Sequence, residues 1–291
     1  MKIAVVGANG QLGHDVTAAF AANGDEVFPV THADVELSDF SAVDAIMKKS
    51  QPQIVVNTAA MHHVDNCERD PDRAFAVNAL GARNLSLAAR EADATVMHVS
   101  TDYVFDGTKG KPYEESDAPR PLNVYGNTKL SGEYFVRSTI EKHFVLRTSA
   151  IYGKNPCRAK GGLNFIELML KLGRERGTVR VVNNEFVTPT STAELARQMV
   201  TLSRSKVYGL YHATADGSCS WYEFAREIFA LANVDVKLEA AGPNEFPAKV
   251  ARPLYSVLEN QRLKSHGLSV FHPWQDGLRE YLSPKPVVAV E

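Results

Sequence analysis

The stretch that most limits what this chain can fold into is KIAVVGANGQLG, residues 2–13. A short β-branched run stops at Gly7, and a helical pattern then runs over 12–23 to Gly24, which reads as strand, tight turn and helix. Strand-like runs recur at EVFPV (26–30), QIVVNTA (53–59), TVMHVS (95–100) and FVLRTS (144–149), with helical patterns between them at 41–50, 70–92 and 124–139. Strands that alternate with helices form a parallel sheet covered on both faces.

Beyond residue 150 the alternation weakens. Helical patterns at 163–176, 192–204, 221–232, 256–265 and 274–282 stand beside short strands at 178–182 and 207–212, and Ser220 with Glu223 makes a capping-box start. The spacing predicts an α/β fold, a Rossmann-type doubly wound parallel sheet over 1–150. A smaller, mostly helical substrate lobe is predicted over 151–284, within which the chain can return to the sheet, and a tail over 285–291. At 291 residues, 44% hydrophobic and 23% charged, the chain is long enough to bury such a core.

Net charge is −2, and Lys and Arg are scattered rather than gathered in a stripe, which argues against a nucleic-acid partner. Cys67, Cys157 and Cys219 are far apart with no CxxC spacing, so neither a zinc knuckle nor a disulfide framework is expected. The apolar run of MKIAVVGANG is too short for a signal peptide or a membrane span, so a cytoplasmic protein with no membrane partner is expected.

Gly7, Gly10 and Gly13 space the loop between first strand and first helix, where free backbone N–H groups and the positive helix end can hold a pyrophosphate. A plain strand-to-helix turn is the competing reading. An acid at the end of the second strand would select a ribose 2′-hydroxyl and a basic residue a 2′-phosphate. Val30, Thr31 and His32 stand there instead, so the sequence leans to NADPH and leaves NADH open. Given a dinucleotide, Tyr125 and Lys129, four apart on one helix face, point into one cleft. An ammonium beside a phenol favours the phenolate, which suits proton transfer during hydride transfer. Ser100 and Thr101 add hydroxyls at the carboxyl end of the fourth strand, where ligands of open α/β sheets bind.

Taken in order, GANGQLG, VVNTAA, STDYVFDG, PLNVYGNTKLSGE and RTSAIYG, followed by PTSTAELA, GLYHATADGSCSWYEFA and ARPLYSVL, resemble the dTDP-4-dehydrorhamnose reductase family of the extended short-chain dehydrogenase/reductase superfamily. The resemblance implies NAD(P)H-dependent reduction of the C4 keto group of a dTDP-4-keto-6-deoxysugar, giving dTDP-L-rhamnose. By that resemblance Tyr125 donates the proton, Lys129 holds the nicotinamide ribose and Thr101 hydrogen-bonds the substrate oxygen. Asp102 and Arg252 are the further substrate contacts. Gly7, Asn9, Gly10, Gln11 and Leu12 line the pyrophosphate. Glu36 and Leu37 fall at the adenosine, and Ala59, Ala60, Met61 and His62 beside the nicotinamide half. Asp65 and Glu68, in the loop resembling the family's substrate-proximal one, either meet sugar hydroxyls or form a solvated helix start.

Some members form a magnesium-bridged homodimer. Asp15 and Glu194 fall near such acidic positions, the full set is not evident, and no metal is assigned. Two positions depart from the family pattern. Ala150 stands where members carry Trp, and Glu185 stands where Gln precedes Phe, and both changes bear on which sugar is bound. Two other readings are a non-catalytic NADP-binding regulatory subunit like that of methionine adenosyltransferase, and another nucleotide-sugar reductase or epimerase.

Overall fold

The computed structural model describes residues 1–157, 161–242, 245–246 and 249–283; the expected tail over 285–291 lies outside them. The first half runs β1 (Lys2–Val6), α1 (Gln11–Ala22), β2 (Glu26–Val30), α2 (Phe40–Ser50), β3 (Ile54–Asn57), α3 (Val64–Arg69), α4 (Pro71–Phe75), α5 (Gly81–Glu91), β4 (Thr95–Thr101), α6 (Val124–Thr139) and β5 (His143–Thr148). The rest is β6 (Ile151–Tyr152), α7 (Phe165–Glu175), β7 (Thr178–Val181), β8 (Phe186–Val187), β9 (Thr190–Ser191), α8 (Thr192–Ser203), β10 (Gly209–His212), β11 (Cys219–Ser220), α9 (Trp221–Leu231), β12 (Lys237–Ala240), α10 (Gln261–Ser265) and α11 (Trp274–Leu282).

Six strands form one parallel sheet in the order β10-β5-β4-β3-β1-β2. Side chains of a strand alternate between faces, and β1 shows the consequence. Ile3 and Val5 enter a core with Phe20, Phe144, Leu195 and Met199, while Ala4 and Val6 enter another with Met47, Leu85 and Val136. The chain leaves β1 on one side for β2 and returns on the other for β3, so a crevice opens between the carboxyl ends of β1 and β3. A third core under α7, α9 and α11 gathers Ile166, Phe224, Ile228 and Trp274.

Three elements differ from the sequence reading. The helix expected over 70–92 is interrupted by a π-helical turn at Ala76–Leu80, and such bulges concentrate near functional sites. The helix expected over 256–265 shrinks to Gln261–Ser265. Residues 256–258 are drawn into extended pairing instead, with Ser256 N–H donating to Phe186 O and a bridge between Tyr113 and Leu258. Finally, β7 finds a parallel partner in β12, which no period-2 pattern announced. Among the described residues no helix is long and apolar enough to cross a membrane.

Candidate active site

The glycine loop builds the first wall. Gly7 has φ 81°, and a Cβ there would lie 2.8 Å from the Ala59 nitrogen and 2.8 Å from Thr58 Oγ1, so only glycine lets the loops after β1 and β3 touch. Gly10 is the N-cap of α1 and supplies no side-chain cap, and no acid stands in the first turn. The leading N–H groups are thus left for an anion. The loop fits a dinucleotide pyrophosphate. Leu12, 5% exposed, buries its side chain in the core and offers only backbone. The Gln11 amide turns outward and donates to the carbonyl oxygens of Gly153 (3.4 Å) and Asn155 (3.1 Å). Asn9 lies half-buried in the same turn.

The loop after β3 forms the opposite wall. Ala59 N–H donates to Asn57 Oδ1, and Met61 is gripped at both backbone groups by Asn78, whose Oδ1 accepts from Met61 N–H and whose Nδ2 donates to Met61 O, each at 2.9 Å. Asn78 lies in the π-helical turn, is 1% exposed and also donates to Thr128 Oγ1 of α6. Ala60 and His62 complete the loop, with His62 Nε2 3.8 Å from Cys157 Sγ. On the outer edge beyond β2, Glu36 lies near His32 (3.8 Å) and Ser38 (3.3 Å), while the Leu37 side chain is buried and its carbonyl accepts from Asn84.

The reaction centre forms where β4 ends beside α6. Asn123 caps α6, its Oδ1 accepting from Gly126 N–H, and so sets Tyr125 and Lys129 on the face toward β4. The Tyr125 side chain faces Thr101, which lies at the end of β4 and accepts from Tyr103 N–H. Lys129 is 2% exposed, and its Nζ donates to Val99 O at 2.7 Å. Burial pulls the Lys129 ammonium down to about 8, against a smaller opposing pull from Glu133. Burial also pushes the Tyr125 phenol well above its ordinary value, with the Asp102 charge acting in the same direction. The expected phenolate is therefore not favoured here. The ammonium is engaged by the Val99 carbonyl, and desolvation sets the direction of the phenol's shift.

Two polar groups turned out otherwise than expected. The Ser100 hydroxyl donates to Glu133 (2.5 Å) and does not join Thr101 in the crevice, because successive residues of a strand face opposite sides. Asp102, expected to meet substrate, is 4% exposed. Its carboxylate accepts from Thr101 (3.0 Å), Ser149 (2.9 Å) and Ser256 (2.5 Å), which take most of its acceptor positions and hold Thr101. Glu68 of α3 accepts from Val124 N–H at the start of α6, which is neither of its two expected roles, whereas Asp65 Oδ1 is buried without a partner. Asp15 accepts from Thr192 and Asn155, and Glu194 lies 3.3 Å from His272 Nδ1.

Arg252 is exposed, in the segment after the described residue 249, and its charge acts on both Tyr103 and Glu185. Tyr103 in turn packs edge-on to Tyr125 with ring centroids 5.9 Å apart. Sequence reasoning missed Tyr103, Asn78 and Glu133. Only Glu133 left a trace, as an acid four residues after Lys129 on one helix face.

Residues 1–286 match the family described as RmlD substrate binding domain. The chain belongs to that family. Among relatives, the spore coat polysaccharide biosynthesis protein SpsK of Bacillus subtilis (strain 168) is 37% identical, with 98% of each chain covered. The dTDP-4-keto-6-deoxy-D-glucose reductase of Streptomyces niveus is 34% identical over 95% of this chain and 94% of that one. The structure of dTDP-4-dehydrorhamnose reductase from Bacillus anthracis str. Ames in complex with NADP superposes with a TM-score of 0.91 at 35% identity, covering 96% of this chain and 98% of that one. The two reductases are named for different substrates, dTDP-4-keto-6-deoxy-D-glucose and dTDP-4-dehydrorhamnose.

Proposed function

We propose that the chain is a cytoplasmic NADPH-dependent reductase of the C4 keto group of a dTDP-4-keto-6-deoxysugar, turning dTDP-4-dehydro-L-rhamnose into dTDP-L-rhamnose. The observation that carries this reading is Tyr125 facing Thr101, with buried Lys129 one helical turn on, at the carboxyl end of the sheet and beside a glycine loop open to a pyrophosphate. Bound between the loops after β1 and β3, the nicotinamide would supply a hydride. Tyr125, kept neutral by burial, is suited to give its proton to the C4 oxygen as charge develops there. Thr101, held by Asp102 and Tyr103 N–H, fixes the same oxygen, and a preorganised group acts where charge appears. Lys129 presents an ammonium from below, and Arg252 offers a planar fork to the diphosphate. Gly7, Asn9, Gly10 and the N–H groups of Gln11 and Leu12 hold the pyrophosphate, and Ala59 to His62 pack the nicotinamide half. Glu36 and Leu37 mark the adenosine end. A homodimer is the expected assembly, to be read by light scattering.

The test follows NADPH absorbance with dTDP-4-keto-6-deoxy-L-lyxo-hexulose generated in the same tube. Stoichiometric oxidation with dTDP-L-rhamnose as product supports the reading; tight NADPH binding without oxidation overturns it. Tyr125→Phe should lose about 10²–10⁴-fold in kcat, the range of general acid catalysis, while NADPH affinity stays within a few-fold.

A further inference from the structure

Glu185 precedes Phe186, whose carbonyl accepts from Ser256 N–H, and the Ser256 hydroxyl in turn donates to Asp102 beside Thr101. Glu185 lies between β7 and β8, and its position is fixed on three sides. Trp221 N–H donates to its carbonyl at 3.3 Å, while the next residue, Phe186, donates to Leu254 O at 2.8 Å and accepts from Ser256 N–H at 2.9 Å. This pairing lays Glu185 against the segment that carries Arg252. Burial raises the Glu185 carboxyl above its ordinary value while the Arg252 charge and the Trp221 side chain oppose the rise, and both Glu185 and Arg252 act on Tyr103, whose ring is 5.9 Å from that of Tyr125. Among the described residues no ion pair closes between Glu185 and a cation, and its oxygens are not among the buried atoms lacking partners. A carboxylate has about four acceptor positions, more than the Trp221 side chain alone can fill.

A half-buried, acceptor-only group repels phosphate and takes hydroxyl donors. A hexose with its C4 oxygen at Tyr125 brings ring hydroxyls into the next shell. The apolar grip opposite is slight: Ala150, at φ 43°, puts only a methyl group two residues beyond Thr148, the partner of Thr101 across β4 and β5. Polar contacts must then decide which sugar fits.

We propose that Glu185 is a specificity-determining residue, whose carboxylate accepts a ring hydroxyl at C2 or C3 so that the substrate is a 4-keto-6-deoxysugar retaining both. This rests on the reductase reading and names its sugar class. A site built to hydrogen-bond a hydroxyl rejects the analogue lacking it much more strongly than an apolar pocket does, because its own polar group is left unpaired.

The test compares kcat/KM of wild type, Glu185→Gln and Glu185→Ala for the parent dTDP-4-keto-6-deoxysugar and its 2-deoxy and 3-deoxy counterparts, with NADPH affinity as the check on folding. Wild type should prefer the parent over one counterpart by at least about 10²-fold. Glu185→Ala should bring that preference below about 10-fold, and Glu185→Gln, which keeps one acceptor oxygen, should fall between. A wild type that ignores the missing hydroxyls, or a Glu185→Ala variant that slows all three sugars equally and keeps the preference, overturns the proposal and leaves Glu185 as packing for Trp221. If wild type oxidises NADPH with none of the sugars, the reductase reading itself falls.

Discussion

Replacing Glu133 by Gln should be among the costliest conservative changes in the molecule. Glu133 is 0% exposed and Arg147 is 1% exposed. The guanidinium donates Nε to Oε1 at 2.8 Å and Nη2 to Oε2 at 2.6 Å, Ser100 adds a bond at 2.5 Å, and the Arg147 fork lies 5.1 Å from the Phe105 ring centre. Gln keeps the shape but removes the charge and one acceptor, so the guanidinium remains buried without its counter-ion. Breaking a buried pair from one side costs about 3–5 kcal/mol. Urea unfolding at pH 7, followed by circular dichroism, should show a loss of that size. A loss below about 1 kcal/mol would refute the argument that uncompensated charge governs this site. The double variant Glu133→Leu, Arg147→Met supplies the control, since exchanging a whole buried pair for apolar packing is often neutral, and it should recover most of the loss. Catalysis should respond too, because Glu133 supports the Lys129 ammonium, whose value should fall further below about 8.

Lys129 itself makes stability depend on pH. Its folded value of about 8 lies below the ordinary 10.5, so between these values the unfolded chain holds a proton the folded chain has released. Stability therefore rises from pH 8 to 10.5, by about 3 kcal/mol in all, and a Lys129→Met variant should lack this rise when the two are compared by urea unfolding. Asn78→Ala leaves the Met61 N–H without a partner and its carbonyl with only the Cys67 thiol. It should cost about 2–3 kcal/mol and weaken NADPH binding through the loosened loop after β3, measured by unfolding and by fluorescence titration. Gly7→Ala meets both a left-handed φ and the Ala59 backbone, and should lower stability by more than about 1–2 kcal/mol and depress NADPH affinity in the same two assays.

Much of the sheet could be read from the chain because each strand carries its own local signal. KIAVV before Gly7 and FVLRTS before Ala150 are β-branched runs with clear ends, and the structure pairs both in the parallel sheet. The pairing of 256–258 could not be read in the same way. Its backbone is claimed by Phe186, about seventy positions away in the chain, and a local pattern carries no information about such a partner. The interruption at Ala76–Leu80 is of the same kind, since the demand that bends the helix comes from Met61 and Thr128 acting on Asn78.

The sequence by itself determined which chemical groups are available and roughly where along the sheet they emerge: the glycine turn, Thr101 after its strand, and Tyr125 and Lys129 one helical turn apart. These follow from local periodicity and turn chemistry, which act over a few residues. Only the tertiary structure decided what each group does with its hydrogen bonds. It turned Asp102 inward to three hydroxyls, gave Ser100 to Glu133, gave the Lys129 ammonium to Val99, and laid the backbone beside Glu185 against the segment that carries Arg252. Burial is the physical reason. Desolvation and hydrogen-bond partners come from segments distant in sequence, and they set both the direction of a side chain and the charge it can keep.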